Sequence, residues 1–360
     1  MNNGDWFDIK VETCLALSIR RSIVSTSNVV LCYPVTEKDT EKIKSTFHDH
    51  RVIVSNQDAV AEDLKQADIF CGHAKVPVDW SYVARQERLK WIQSSAAGLD
   101  HCLTSEVIDS EIVVSGCSAL FANQVAEHTL ALLFGMLRRL PVFMDAASRR
   151  EFVRKPTDTM HGKTVGIVGF GGNGRRIAAL LKELAGSIIA TDLFADYEIP
   201  EYVHCLPADK LDQVFKECDI VIVTLPLNEQ TDKLIGKQQF DLMKPGSYFI
   251  NVARGSVVDQ PSLCTALQDG ALAYAAVDVV DPEPLPADNL LWELPNALIT
   301  PHVGAQAENR VPLTTDLFCL NFERFKAGKT LVNQVDKELR MPHPQIRLSV
   351  SRNGEILLPD

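Results

Sequence analysis

The sequence predicts an α/β protein made of two doubly wound parallel-sheet domains that face each other across a cleft. Three observations carry this. At 360 residues the chain is too long for one ordinary core and suits two. Short apolar runs alternate with polar, helix-compatible stretches from Asn28 to Cys117 and again from Thr164 onward, the pattern of parallel strands covered on both faces. The second block also opens on a glycine-rich turn, Thr164–Gly174, set between an apolar strand and an apolar helix.

In the first block the strand candidates are Val29–Tyr33, Val52–Ser55, Ile69–Cys71, Leu89–Ile92 and Ile112–Val114. Phe121–Leu140, rich in Ala and Leu, reads as one long helix ended by Arg138, Arg139 and Pro141. Its Leu- and Met-bearing face reads as packing, and His128 within it as structural. Ser148–Lys163 is polar and reads as a linker. The second block has strand candidates at Val165–Val168, Ile188–Thr191, Ile220–Thr224, Tyr248–Asn251, Ala273–Ala276 and Ala297–Ile299, with a helix at Ile177–Leu184. A helical segment, Glu308–Phe325, then returns to the first block. The expected division is therefore 28–118 plus 306–335 for one domain and 119–305 for the other, with 1–27 and 336–360 as terminal extensions. Within the second extension, Gln345–Leu358 reads as two short β runs about Asn353-Gly354, a strong hairpin turn.

Composition narrows the function classes. The hydrophobic fraction of 46% and charged fraction of 23% are those of a globular protein, and no apolar run reaches a membrane span. The amino terminus is acidic where a secretory signal would be basic and then apolar. The net charge of −11 disfavours nucleic acid or an anionic membrane as partner. Nine cysteines stand singly with no C-x-x-C pair, against a zinc site or disulfide framework and in keeping with the cytoplasm.

Gly169, Gly171 and Gly174 give G-x-G-x-x-G, with Gly172 and Asn173 inside it. The first glycine permits a tight turn, the second a close approach to a pyrophosphate, and the third close packing of helix on strand. Backbone N–H groups at the helix start then hold the phosphates. This predicts a Rossmann-like nucleotide domain. Asp192 ends the next strand 192 − 174 = 18 residues on, near the spacing for a ribose 2′-hydroxyl ligand. A carboxylate there repels a 2′-phosphate, so the expected cofactor is NAD (NADH). Arg175 and Arg176 are placed either at the pyrophosphate or on an exposed helix start.

Three segments of the second block end an apolar run with polar groups: Asn251–Gly255, Asp278–Pro284 and Thr300–Gly304. In open α/β sheets the ligand crevice lies at such strand ends. Hydride transfer to a 2-oxo acid needs a cation for the carboxylate and an acid for the alkoxide oxygen. The planar fork of Arg suits the first and His, with a neighbouring carboxylate, the second.

From about Asn28 to Asn333 the sequence resembles the D-isomer-specific 2-hydroxyacid dehydrogenase family. GFGGNG, NVARGSVVD, DVVDPEPLP and TPHVGA resemble that family's successive signatures, in its order. The resemblance implies that Arg254 binds and polarises the substrate, that Glu283 orients and charge-stabilises an imidazole, and that His302 is the acid/base. It also implies that Asp278 hydrogen-bonds the nicotinamide amide, and that Thr224, Leu225, Pro226, Val252 and Ala253 lie against the cofactor. Ser94–Asp100 resembles the loop whose amides, here Ala97 and Gly98, hold a substrate carboxylate. His73 stands where some members place a substrate-contacting Arg, which counts against phosphoglycerate, and His101 reads equally as site or surface. Asn173 replaces a usually apolar fingerprint residue. A homodimer through residues 119–150 is also implied.

The expected substrate is a small 2-oxo or 2-hydroxy acid such as glyoxylate or hydroxypyruvate. A carboxylate at Glu283 stands where related formate enzymes place an amide. Phosphite oxidation on the same fold keeps all three residues and stays open, as does a non-catalytic, NAD-sensing protein of corepressor type.

Overall fold

The apolar runs of the first block become five parallel strands in the computed structural model, which describes residues 27–351 and 355–359. They are β1 (Asn28–Cys32), β2 (Arg51–Val54), β3 (Ile69–Gly72), β4 (Trp91–Ser94) and β5 (Val113–Ser115). The sheet order is β2-β1-β3-β4-β5, with every pair parallel. β3 and β4 are buried at every residue, as a sheet covered on both faces requires. β4 starts and ends two residues later than its apolar run indicates. Polar Gln93 continues it because its side chain is satisfied inside, accepting from Ser115 Oγ at 2.8 Å and Asn321 Nδ2 at 3.0 Å.

The second block forms β6 (Thr164–Val168), β7 (Ser187–Asp192), β8 (His204–Pro207), β9 (Ile220–Val223), β10 (Ser247–Asn251), β11 (Leu272–Val277) and β12 (Ala297–Ile299). Their order is β12-β11-β10-β9-β6-β7-β8, again all parallel. The chain runs one way from β6 through β7 to β8 and then crosses to β9, so the glycine-rich turn after β6 sits at the switch point where such sheets open a crevice. β8 was not foreseen. It is a four-residue edge strand with an exposed His204 and a terminal proline, and so carries neither an apolar run nor alternation.

The expected long helix is two. Ala122–Leu137 ends at Arg138, and Leu140–Ser148 begins after Arg139, whose φ of 52° breaks the path. Pro141 starts the second helix rather than stopping the first, since an N–H is not needed in a first turn. The helix predicted at Ile177–Leu184 spans Gly172–Leu181, because glycines of the turn are already helical.

The helix Arg310–Lys326 lies on the first sheet. Its Phe318, Phe322 and Phe325 join Val29, Leu31, Ile69 and Trp91 in one apolar cluster, and Phe47 stacks on Phe318 and Phe322. Beyond it the chain forms two small antiparallel pairs. β13 (Val335–Asp336) pairs with β14 (Met341–Pro342), and β15 (Ser349–Val350) with β16 (Ile356–Leu357). The last pair is the foreseen hairpin, although its Asn353-Gly354 turn lies outside the described residues. The amino-terminal extension, apart from Ser27, lies outside them too. Among the described residues no helix is long and apolar enough to cross a membrane.

Candidate active site

The turn after β6 has the shape its sequence requires. Gly169 has φ +92°, and a Cβ on Gly174 would lie 2.3 Å from the Gly169 carbonyl, so neither position accepts a side chain without a shift. Thr224, just past β9, donates its hydroxyl to the Gly169 carbonyl at 2.6 Å. Asp192 closes the other side, accepting from the Phe170 N–H at 2.6 Å and the Phe194 N–H at 2.9 Å. A cavity of about 2150 Å³ runs past this turn. Gly169, Gly171, Gly172, Asn173, Asp192, Thr224–Pro226, Val252, Ala253 and Arg254 line it from one half, Ala97, Gly98 and Asp100 from the other. Bare backbone at a helix start, a carboxylate one strand over and a cleft of this size fit a dinucleotide.

Arg175 and Arg176 are held by backbone carbonyls, and Arg175 lies against the turn itself, its guanidinium 5.0 Å over the Phe170 ring. Arg175 donates to the carbonyls of Phe170, Tyr197 and Glu198, while the buried Arg176 reaches the Ser351 carbonyl at 3.5 Å. Burial removes Arg176 from the exposed helix start considered for it, whereas Arg175 is half-buried beside the turn.

Arg254 crosses the cleft. As the last residue of β10, Asn251 accepts from the Ala253 N–H and donates to the Arg254 carbonyl, each at 3.0 Å, and so shapes the bend. The guanidinium donates to Asp100 Oδ1 at 3.1 Å and brings Nη2 against Gly98, where a Cβ would fall 1.3 Å from it. Among the described residues, the Ala97 and Gly98 amides donate to no protein acceptor. The Asp100 carboxyl is pushed up by burial, yet the charge and hydrogen bonds of Arg254 hold it below its usual value.

His302 and Glu283 meet as a pair, Nδ1 to Oε2 at 2.9 Å. Burial pushes the Glu283 carboxyl up, but the His302 bond and charge, the Val280 amide and the charge of Arg254 outweigh it and hold Glu283 below its ordinary value. The pair is half exposed and does not itself line the cavity. Arg254, which does, is near enough for its charge to act on Glu283.

Asp278 is buried beneath this pair and ties three elements together. It accepts from Thr300 Oγ1 at 2.6 Å, Val303 N at 2.9 Å and Gly304 N at 2.8 Å, with His128 Nε2 at 3.2 Å. Its carbonyl also takes the His302 N–H at 2.7 Å. Burial raises the Asp278 carboxyl, and these donors more than reverse it. His128, read as structural, is thus structural through this carboxylate. Asp278 is not among the cavity-lining residues.

On the first-domain side His73 follows β3 and stacks on His101, with ring centroids 3.8 Å apart. Burial pulls His73 below its ordinary value against the opposing charge of Asp100, and pushes His101 down to about 3 with the help of His73. Both imidazoles are neutral near pH 7. Neither lines the large cavity. No metal-binding group of His, Cys, Asp and Glu occurs among the described residues, and their cysteines are free.

Fold and cleft define a two-domain, dinucleotide-binding α/β protein. Residues 130–304 match the model for the D-isomer specific 2-hydroxyacid dehydrogenase, NAD binding domain. The chain is 32% identical over 283 residues to an uncharacterized protein in the proB 3′ region of Corynebacterium melassecola, covering 76% of this chain and 90% of that one. It is 29% identical over 308 residues to a glyoxylate reductase of Pyrococcus furiosus, covering 79% and 88%. Against a D-3-phosphoglycerate dehydrogenase of Methanocaldococcus jannaschii it is 28% identical over 295 residues, 81% of this chain but 55% of that one. The chain spans about half the length of that relative. Among solved structures, a D-isomer specific 2-hydroxyacid dehydrogenase family protein from Aeromonas salmonicida aligns with a TM-score of 0.75 at 25% identity, over 86% of this chain and 99% of that one. The chain belongs to the D-isomer specific 2-hydroxyacid dehydrogenase family, whose members are NAD-dependent oxidoreductases acting on CH–OH donors.

The Asp278 hub makes a prediction about stability. Its folded-state pKa is depressed, so its contribution is complete above the ordinary carboxylate value of about 4 and is lost as pH falls through the depressed value. Asp278→Asn is expected to cost about 2–3 kcal/mol at pH 7, the scale for hydrogen bonds to a buried charge. Denaturant unfolding should show the gap from wild type closing on acidification. Equal stability at pH 7 would contradict the assigned role.

Proposed function

We propose that the protein is an NAD-dependent 2-hydroxyacid dehydrogenase that moves a hydride between NAD(H) and C2 of a small 2-oxo or 2-hydroxy acid. The observation that carries this is the convergence of Arg254 with two unpaired amides, Ala97 and Gly98, beside the Glu283–His302 pair. Bound at the glycine-rich turn, the nicotinamide cofactor supplies or accepts the hydride. Arg254 takes the substrate carboxylate in its planar fork, exchanging its present partner Asp100 for it, and the two amides donate to the same group. His302 holds the proton for the C2 oxygen. Glu283, ionised across the neutral range, keeps Nδ1 protonated and stabilises the imidazolium when His302 is charged. Gly169–Gly174 seats the pyrophosphate, Asp192 the adenosine ribose, and Thr224–Pro226 with Val252 and Ala253 the nicotinamide half. Asp278 acts mainly by holding the 300–304 loop, with the nicotinamide amide as a further partner.

The substituent on C2 is small and neutral in this reading. His73 and His101 sit beside Asp100 as neutral, stacked imidazoles, which suit hydrogen or a hydroxymethyl group better than a phosphoryl group. Glyoxylate and hydroxypyruvate are therefore the preferred substrates, with the chain acting in the cytoplasm. We also place a homodimer interface in residues 119–150. Leu140 is 48% and Met144 71% exposed on the helix Leu140–Ser148, apolar area that a second copy would cover.

The test is NADH oxidation against a panel of 2-oxo acids, with phosphite oxidation by NAD as a parallel assay. Wild type should reduce glyoxylate or hydroxypyruvate, and His302→Ala should lose about 10²-fold or more in kcat with NADH affinity kept. Turnover of phosphite alone would replace the substrate assigned here; NADH binding without turnover on anything would leave a sensor.

Glu283→Gln should lower kcat for reduction by about tenfold or more with NADH affinity kept, because the carboxylate that holds His302 Nδ1 is lost. An unchanged kcat would remove Glu283 from the mechanism. For the dimer, light scattering should report two copies in wild type and a shift toward one in Met144→Glu; a wild-type monomer would refute the interface.

A further inference from the structure

The fingerprint GFGGNG has no cation of its own; of the two arginines that follow it, Arg175 donates to three backbone carbonyls and Arg176 is buried and directed toward the Ser351 carbonyl. A cation nevertheless lies against the turn, and it comes from the carboxyl-terminal segment. Arg347 packs its guanidinium over Gly171: a Cβ built there would lie 3.2 Å from Nη1 and 3.8 Å from Cζ. Arg347 lines the same cavity as Gly171 and Asp192. Among the described residues its guanidinium makes no hydrogen bond and no ion pair within 4 Å. Burial lowers its proton affinity, and the more distant charge of Asp192 offsets only part of this.

Its position is fixed by its neighbours. Asn333 donates its N–H to the Ile346 carbonyl at 2.8 Å and accepts from the Leu348 N–H at 2.9 Å, which clamps the chain on both sides of Arg347. The Asn333 amide donates in turn to the carbonyls of Gly116 and Ser118, between β5 and the helix Ala122–Leu137. Leu348 is buried with Cys117, Leu120 and Phe121. Nearer the cavity, His343 packs edge-on against Phe194, two residues beyond Asp192. The segment is thus a docked strap, and Arg347 is presented rather than trailing.

We propose that Arg347 is a cofactor-binding residue supplied from outside the nucleotide domain, donating to the pyrophosphate of NAD(H) as it crosses Gly171. A dianionic diphosphate supplies what the site lacks: acceptors for a pinned guanidinium without a partner. The assignment favours the pyrophosphate over a 2′-phosphate because Arg347 touches the second glycine of the fingerprint, the point of closest backbone approach to that group. It rests on the dinucleotide reading of the cavity and not on the identity of the oxo acid.

The test is equilibrium binding to the full chain without oxo acid, using NADH, NADPH, ADP-ribose and adenosine. Arg347→Gln should weaken NADH and ADP-ribose by about tenfold or more, the scale of a lost charge-assisted hydrogen bond. NADPH should weaken by the same factor and adenosine not at all. Arg347→Lys should recover part of the loss. In turnover the Gln variant should raise the KM for NADH with kcat at saturation kept. Unchanged or tighter NADH binding would overturn the proposal, the latter marking the strap as a plug. A loss confined to NADPH would transfer the contact to a 2′-phosphate. An equal loss for adenosine would reduce Arg347 to a structural support. Failure of wild type to bind NADH would remove the cofactor reading itself, a result distinct from all of these.

Discussion

The geometry of this site depends on one buried carboxylate. Asp278 collects the Thr300 hydroxyl, two consecutive backbone N–H groups and His128, while its carbonyl takes the His302 amide. The segment bearing His302 is held on a path where that residue has φ 55°, a conformation that side-chain-bearing residues leave unless their surroundings fix it. One ionised group therefore sets the direction of the imidazole, the start of the loop that leads back to the first sheet, and the seat of the helix Ala122–Leu137. A buried charge is tolerable there only because every donor is already in place.

The second constraint acts across the cleft. Arg254 stands at the end of β10 but finds its partner, Asp100, on the loop after β4. Neither half of the molecule holds a complete site. The second sheet brings the cofactor turn, the guanidinium and the Glu283–His302 pair, while the first brings two open amides and a pair of neutral imidazoles. Under the proposed function, such a division would couple substrate capture to the approach of the two halves, which would also exclude water from the reacting atoms. The carboxyl-terminal strap runs from the first half, through Asn333, across to the glycine-rich turn, so the same junction carries both.

Much of the plan was legible in the sequence because its signals are local. An apolar run that ends abruptly in polar residues marks the end of a strand, and three such ends carry Arg254, Glu283 and His302, whose roles the family resemblance implied. Register failed where polar residues are satisfied inside: Gln93 extends β4 past its apolar run. The edge strand β8 and the break at Arg139 were missed because four mixed residues carry no period and Pro141 serves equally to stop or start a helix. Asp100 and His128 acquire their roles only from partners 154 and 150 positions away (254 − 100; 278 − 128), distances over which no spacing rule operates. Arg347 sits in a segment with no motif, and only the docking of that segment brings it to Gly171.

Whether Arg254 and the Ala97–Gly98 amides form one carboxylate seat between the two halves is tested by a crystal structure with NAD and oxamate, an unreactive mimic of a 2-oxo acid. The oxamate carboxylate is expected on the Arg254 fork and both amides, with the bond from Arg254 to Asp100 given up and His302 Nε2 at the neighbouring oxygen. Oxamate bound elsewhere, with Arg254 still on Asp100, would contradict that seat.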